Sequence, residues 1–357
     1  MHTQSKFRLL VVRLGAMGDV LHALPAVTAL RQAHPSWVID WVIEPAWCAL
    51  LTANCDLSNP GLGPSQPVVD RLHMASTKAW RHHPFSPKTR EEIRVLRKAL
   101  QECHYDAVLD FQGAVRSAAV ARMTNCRRRI GESHPREWAA RWGFTERVVT
   151  KGAHVIEQDV ELATAVAGDE LTPVPPWLPV DPGAEAWCDQ ILTPSENRPA
   201  VLLNPGAGWG AKRWPVERYA AVARTLAGRG IRVLLNAGPG EEPLAEAIRE
   251  QCKGAALPCH CSVAQLISLT RRVALVIAGD TGPLHLACAL GRPVVGIYGP
   301  TDPARNGPFG SPFRVLRSPS SRRDHSRRSE PEAGLLTITP EAVLQAADEL
   351  LAPEPVP

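Results

Sequence analysis

Two short stretches hold residues of the right type and spacing for chemistry on an anionic ligand. Gly279 to Ala289 reads GDTGPLHLACA and follows the apolar run Val273–Ala278, so two glycines, a carboxylate, a hydroxyl and an imidazole fall where a strand gives way to a helix. At the carboxyl edge of a parallel sheet, unpaired backbone N–H groups and the positive end of a helix dipole converge, which suits a diphosphate. A second turn of this kind, GAMGD at Gly15–Asp19, follows the strand Leu9–Val12. Two such turns imply two nucleotide-fold halves facing one cleft.

Asp19 stands at the start of a helix, where the dipole and free N–H donors favour a carboxylate. It reads either as an N-cap or as a general base at the mouth of a cleft, within reach of an acceptor hydroxyl. After the strand Ala200–Asn204 comes NPGAGWGAKRWP, in which Gly206, Gly208 and Gly210 let backbone approach a ligand and Lys212 and Arg213 bring positive charge. AGPGEE at Ala237–Glu242 follows a further strand, and its Glu241 is placed either to accept from ribose hydroxyls or to sit as a first-turn carboxylate. In the third loop Asp280, Thr281 and Gly282 occupy the turn itself, with His285 one turn into the helix as a packing residue or a ligand contact. Three loops on one sheet edge point to a ligand there.

A dinucleotide reading is weakened by the glycines. Glu44 ends the second strand where an acid would hold a ribose, but Gly15-x-x-Gly18 lacks the preceding Gly-x of the dinucleotide fingerprint. No Asp-x-Asp pair occurs anywhere in the chain, so leaving-group charge falls to Lys212, Arg213 and helix N-termini rather than to a divalent ion.

The elements that must position these residues alternate between short apolar runs and amphipathic stretches, the pattern of a parallel α/β sheet. The first half offers strands at Leu9–Val12, Trp37–Ile43, Asp106–Phe111 and Arg147–Thr150, with helices near Asp19–His34, Thr89–His104 and Gly113–Thr124. Pro25 is expected to kink the first helix. The second half offers strands at Ala200–Asn204, Ile231–Asn236, Val273–Ala278 and Pro293–Tyr298, with helices near Pro215–Gly228, Glu241–Cys252 and Gly282–Leu290. The proline-rich stretch Gly168–Gly183 reads as a stiff extended connection. The expected domains are therefore 1–170, a linker 171–183, a second domain 184–340, and a closing helix and tail 341–357. Closure of the halves about that linker would expel water from the cleft. The polar segment after Arg317 reads as a mobile loop.

The chain has 357 residues, 45% of them hydrophobic and 21% charged, enough for two cores. A net charge of +4 does not by itself call for nucleic acid. The basic cluster from Lys78 to Lys88, including Arg81 and read as a loop, suits a phosphorylated acceptor or an anionic membrane surface, and the Arg322–Arg328 run is a weaker addition. The nine cysteines form no Cys-x-x-Cys pair, and with no leader pattern at the amino terminus they read as idle thiols of a reducing cytoplasm. Cys259-His260-Cys261 lacks the spacing of a metal site. No apolar run reaches the ~20 residues a membrane span needs, so membrane contact would be peripheral, at the cytoplasmic face.

Taken together, RLGAMGDVLHALPA (Arg13–Ala26), DWVIEP (Asp40–Pro45), YDAVLDFQGAVRSA (Tyr105–Ala118), NPGAGWGAKRWP (Asn204–Pro215) and GDTGPLHLACALGRPVVGIYGPTDP (Gly279–Pro303) resemble the bacterial heptosyltransferases of lipopolysaccharide inner-core synthesis, the ADP-heptose-dependent glycosyltransferases of family nine. The resemblance runs from about Leu9 to Leu350 and is nearest to members that add the first heptose to the Kdo sugar. It implies a GT-B architecture, with acceptor held mainly by the first Rossmann-like domain and nucleotide sugar by the second, and inverting transfer without a metal or other cofactor. The catalytic aspartate of that family maps onto Asp19. Its phosphate-contacting lysine maps onto Lys212, its ribose-contacting glutamate onto Glu241 and its donor turn onto Asp280, Thr281, Gly282 and His285. Gly206, Gly208 and Arg213 join the donor side from their own loop, and Gly18, Lys78, Arg81 and Gln112 are read as the acceptor side, where the family's basic residues do not align cleanly. Ala207, Gly208 and Trp209 stand where some members carry hydroxyls, which leaves phosphate contacts there to backbone. The expected partners are ADP-heptose and a phosphorylated Kdo-lipid A acceptor, with the protein a monomer. The same fold with another acceptor or nucleotide sugar, a sugar-nucleotide epimerase and a non-catalytic sensor are the rival readings.

Overall fold

The computed structural model describes residues 6–55, 61–192, 198–323 and 328–352. The chain divides into two compact units, Met1–Val180 and Asp181–Pro357.

The first unit runs β1 (Arg8–Val12), α1 (Met17–Ala33), β2 (Val38–Ile43), β3 (Arg71–Met74), α2 (Thr77–His82), α3 (Pro87–Glu102), β4 (Ala107–Asp110), α4 (Val115–Met123), β5 (Arg129–Glu132), β6 (Glu146–Val148) and α5 (Val155–Ala167). Its six strands are ordered β3-β2-β1-β4-β5-β6, and their pairings are parallel. Central strands such as RLLVV and AVLD are near-continuous apolar runs because helices cover both faces. Helix α1 is buried from Val20 to Arg31 all round, packed against α5, and it continues through Pro25. Ser86 caps α3, its side chain accepting from Thr89 N–H at 3.0 Å, and Pro87 follows at the first helical position.

The second unit runs α6 (Pro182–Leu192), β7 (Ala200–Asn204), α7 (Val216–Gly228), β8 (Arg232–Asn236), α8 (Glu242–Gln251), β9 (Ala256–Cys259), α9 (Val263–Arg272), β10 (Leu275–Gly279), α10 (Gly282–Ala289), β11 (Val294–Tyr298), α11 (Pro303–Asn306), β12 (Phe313–Arg317) and α12 (Pro340–Leu351). Its sheet order, β12-β11-β10-β7-β8-β9, repeats the first unit's topology strand for strand. In each sheet the order reverses once, between β1 and β4 and between β7 and β10, and the crevice at such a reversal is where open α/β sheets bind ligands. The core of this unit gathers Trp214, Tyr219, Leu226, Ile248, Leu335 and Val343, so α12 belongs to it. Trp214 and Tyr219 meet edge to face with centroids 4.9 Å apart.

The structure departs from the sequence reading in several places. The strands β3, β5, β9 and β12 and the helices α2, α5, α6, α9 and α11 add to the elements expected. Three of those strands lie at sheet edges, where short, half-polar segments such as RLHM give little apolar signal. The Lys78–Lys88 cluster is not a loop: it forms α2 and opens α3. The proline-rich residues before α6 lie on the first unit, with Trp177 N–H on Thr28 Oγ1 at 3.3 Å and Val180 N–H on the Pro64 carbonyl at 2.9 Å.

Cys48 and Cys55 are not idle thiols but are joined in a disulfide, their Cα atoms 5.9 Å apart. The 3-10 turn Pro45–Leu50 folds the chain back on itself, with the N–H groups of Leu51 and Thr52 both on the Cys48 carbonyl. The segment after Arg317 is likewise tied down in its described residues. Ser321 Oγ donates to Glu332 at 2.9 Å, Arg317 Nη2 to the Ser321 carbonyl at 2.8 Å, and Ala211 N–H to the Arg328 carbonyl at 3.1 Å. Residues 324–327 of the basic run lie outside the described residues.

Candidate active site

Where β1 ends in the first unit, Gly15 has φ +136°, a value that L side chains rarely adopt, and Trp47 fills the space a Cβ would need. Helix α1 then starts at Met17, so Ala16 is its N-cap and Asp19 sits three positions in rather than capping it. One carboxylate oxygen of Asp19 accepts from Ala16 N–H at 3.0 Å, which supplies the acidic half of a capping box. The other lies 3.3 Å from Arg13 Nη2, and the carboxylate is one-third exposed. Arg13 is buried; its Nε donates to the Asp19 carbonyl at 3.1 Å and its Nη1 to the Phe111 carbonyl. That guanidinium therefore joins the ends of β1 and β4, the two strands that flank the reversal.

Gln112, just beyond β4, is buried with its Oε1 accepting from Leu14 N–H at 3.0 Å, and so it braces the same turn. Asp110 accepts from the N–H groups of Gln112 and Gly113 at 2.7 and 2.9 Å. Burial pushes its carboxyl up to about 6, against those bonds and the charge of Arg13. Asp159 of α5 is buried too, one of its oxygens without a partner, and burial plus the charge of Asp19 push it up to about 7 against Arg13. Gly18 lies in the first turn of α1. Lys78 and Arg81 are exposed on α2, which follows β3, two strands from β1, and so they stand apart from Asp19 in the sheet order. Glu44 is not a ribose ligand here: its Oε1 accepts from Thr77 Oγ1 and Lys78 N–H and holds the start of α2.

In the second unit, the loops after β7 and β10 meet through side chains. Lys212 Nζ lies 2.5 Å from Asp280 Oδ2 and 3.2 Å from its carbonyl, and 4.4 Å above the Trp209 ring. His285 Nε2 lies 3.2 Å from the other Asp280 oxygen. Burial opposes ionisation of Asp280, but His285 and Lys212 outweigh it and hold the carboxyl well below the usual carboxylate range. Thr281 is the N-cap of α10 with no side-chain cap bond, its hydroxyl donating instead to the Gly279 carbonyl at 3.2 Å. The helix therefore starts without a side-chain oxygen over its first N–H groups. Glu241 caps the backbone of α8, its Oε2 accepting from Gly238 N–H at 3.0 Å, and its carboxylate occupies the space beside Gly206 that any side chain there would take. Arg213 reaches the Ala207 carbonyl at 3.5 Å, and Gly208 has open space about it.

The donor-type residues named from sequence thus gather on one sheet edge, at β7, β8 and β10. Sequence reasoning missed Arg13, Asp110 and Asp159. Arg13 stood inside the RLGAMGD motif, whereas Asp159 lies on a helix that was itself unrecognised.

With this geometry in place, residues 93–335 match glycosyltransferase family 9 (heptosyltransferase). The chain belongs to that family. It is 31% identical over 325 residues to lipopolysaccharide heptosyltransferase 1 of Escherichia coli O18:K1:H7 (strain RS218 / NMEC), covering 88% of this chain and 92% of that one. E. coli heptosyltransferase WaaC with ADP superimposes with a TM-score of 0.78 at 29% identity, over 96% of this chain and all of that one (100%). WaaC with ADP-2-deoxy-2-fluoro heptose gives 0.75 at the same identity, over 96% and 99%. This family 9 glycosyltransferase has the GT-B architecture of two Rossmann-like units, each with its own switch point. Among the described residues, no helix is long and apolar enough to cross a membrane.

Proposed function

We propose that this family 9 enzyme transfers heptose from ADP-heptose to the Kdo-bearing lipid A inner core of lipopolysaccharide, with inversion, and that Asp19 is the general base. The observation that carries this reading is the position of Asp19: a partly exposed carboxylate at the first unit's switch point, aimed by Arg13 and Ala16 N–H. Each of its oxygens keeps a lone pair for an acceptor hydroxyl. In the reaction Asp19 takes the hydroxyl proton, the oxygen attacks the anomeric carbon, and the bond from that carbon to the diphosphate breaks. The departing ADP is met by Lys212 and the backbone N–H groups at the start of α10, so the reacting atoms need no divalent ion. Binding of the diphosphate draws Lys212 from Asp280, which His285 keeps ionised and in place. Glu241 accepts from the ribose, and Lys78 and Arg81 face acceptor phosphates or an anionic membrane surface at the cytoplasmic side.

The reading is supported by the likeness to WaaC bound to ADP and to a fluorinated ADP-heptose, and by the name of the E. coli relative. The test is incubation with ADP-heptose and Kdo-lipid A, with the product followed by mass spectrometry and its anomeric configuration by NMR. One added heptose of inverted configuration is expected. Transfer only from another nucleotide sugar or to another acceptor would overturn the assignment, as would conversion of ADP-heptose with no acceptor present.

A further inference from the structure

At the amino edge of the first sheet, the end opposite Asp19, three different donors converge from separate elements. Asp40 of β2 is fully buried, on the face that Leu100 and Tyr105 cover. His73 comes from β3 and Cys103 from the end of α3, and one ligand atom of each lies within 4.8 Å of the other two. His73 Nε2 is 3.9 Å from Asp40 Oδ2. The remaining oxygen of Asp40, Oδ1, is buried with no hydrogen-bond partner. An ionisable acceptor left bare in an apolar layer is costly, and a cation removes the cost.

We propose that Asp40, His73 and Cys103 form a binding site for a zinc-class divalent cation that clamps β2, β3 and the α3–β4 connection. A carboxylate oxygen, an imidazole nitrogen and a thiolate are together the donor set of borderline-soft ions, and three protein ligands leave a fourth position for water. A second layer of partners is already present. Tyr105 Oη donates to Asp40 Oδ2 at 2.7 Å and lies 2.8 Å from His73 Nε2, and Arg71 Nη1 lies 3.1 Å from Cys103 Sγ. Such partners orient ligands in metal sites. Access exists as well: a cavity of about 560 Å3 is lined by Arg8, Arg71, His73, Glu102, Cys103 and His104. One aspartate and one thiolate balance a divalent charge, and Arg8 Nη2, 3.9 Å from Asp40 Oδ2, stands at the edge of the site as Arg71 does.

The site is independent of the heptose reading, and its test does not use activity. The full chain, stripped with a chelator and kept reduced, is titrated with Zn2+ against a chromophoric competitor and with Co2+ by absorption spectroscopy. Expected are one tight equivalent and a thiolate-to-cobalt charge-transfer band. Cys103→Ser should abolish the band, Tyr105→Phe should weaken zinc ~10–100-fold, and Cys261→Ser should change neither. Absence of the band in the unaltered chain overturns the proposal even where Cys103→Ser fails to fold. So does a band that survives Cys103→Ser, or one that is lost instead with Cys261→Ser, which would place the ion at the Cys259–Cys261 strand end.

Discussion

At the first unit's switch point, three carboxyl groups surround a single buried guanidinium, whereas at the second a buried aspartate is shared between a lysine and a histidine. The strand orders are the same, so the contrast arises from the loops. Arg13 cannot neutralise Asp19, Asp110 and Asp159 together, and the two fully buried acids are pushed up to about 6 and about 7 while Asp19, partly exposed, carries the ion pair. Asp280, by contrast, is shared between Lys212 and His285 and is held down. One edge is thus short of positive charge and presents a partly exposed carboxylate. The other is built around a lysine paired with Asp280, the partner that a diphosphate would replace on the proposed reading. One topology used twice thus carries a carboxylate cluster in one place and a lysine–aspartate–histidine cluster in the other, and on the proposed reading these serve as proton acceptor and anion cradle.

The sharpest way to break this contrast is Asp19→Asn. The amide keeps the shape and the bond from Ala16 N–H but accepts no proton, so turnover should fall ~10²–10⁴-fold. ADP affinity, assigned to the other unit on the proposed reading, should stay the same. Near-normal turnover would remove Asp19 as base and leave the two edges chemically alike.

Much of this contrast was legible in the sequence because strand, glycine turn and helix follow one another without interruption at Gly15–Asp19, Asn204–Pro215 and Gly279–His285. There local chain geometry alone delivers the side chain to the sheet edge. The supporting groups were not legible. Asp159 comes into the field of Arg13 only through the packing of α5 on α1, and nothing in VIEQDVELATAVA marks one acid of three as buried. Asp40, His73 and Cys103 come from three elements about thirty residues apart, so no spacing rule links them. Cys48 and Cys55 were close in sequence, but the composition of the whole chain argued for free thiols, and a single 3-10 turn decided otherwise.

Asp159 offers the next largest effect. Its carboxyl is held near 7 in the folded protein and near 4 in the unfolded chain, so the folded state binds the proton more tightly. Its contribution to stability is fully present below about pH 4 and is lost as pH rises to 7, up to about 4 kcal/mol. Asp159→Asn should remove that slope. In urea unfolding at pH 5 and pH 8, the variant should gain on the parent at the higher pH. Equal differences at both would mean that Asp159 is solvated and that Arg13 is not overdrawn.

Lys212→Ala tests the other edge and should be milder. One charge-assisted contact to the diphosphate is worth ~1.5–3 kcal/mol, so ADP should bind roughly 10–100-fold more weakly by calorimetry. The substitution also leaves Asp280 with His285 alone, and its carboxyl should move back toward the ordinary range. Unchanged ADP affinity would show that the α10 N-terminus alone holds the nucleotide and that the lysine serves Asp280 only.

The smallest effect is expected at α2, the exposed element proposed for the acceptor side. Lys78 and Arg81 are exposed, and surface charges at such positions are worth at most ~1 kcal/mol each and are screened by salt. Replacing both with Ala should raise the KM for a phosphorylated acceptor a few-fold at low ionic strength, with kcat and ADP affinity unchanged. At high salt, variant and parent should converge, since only the long-range attraction has been removed. If kcat fell instead, α2 would have to touch the reacting sugar, and the division of labour between a buried, orienting layer and an exposed, steering one within the first unit would not hold.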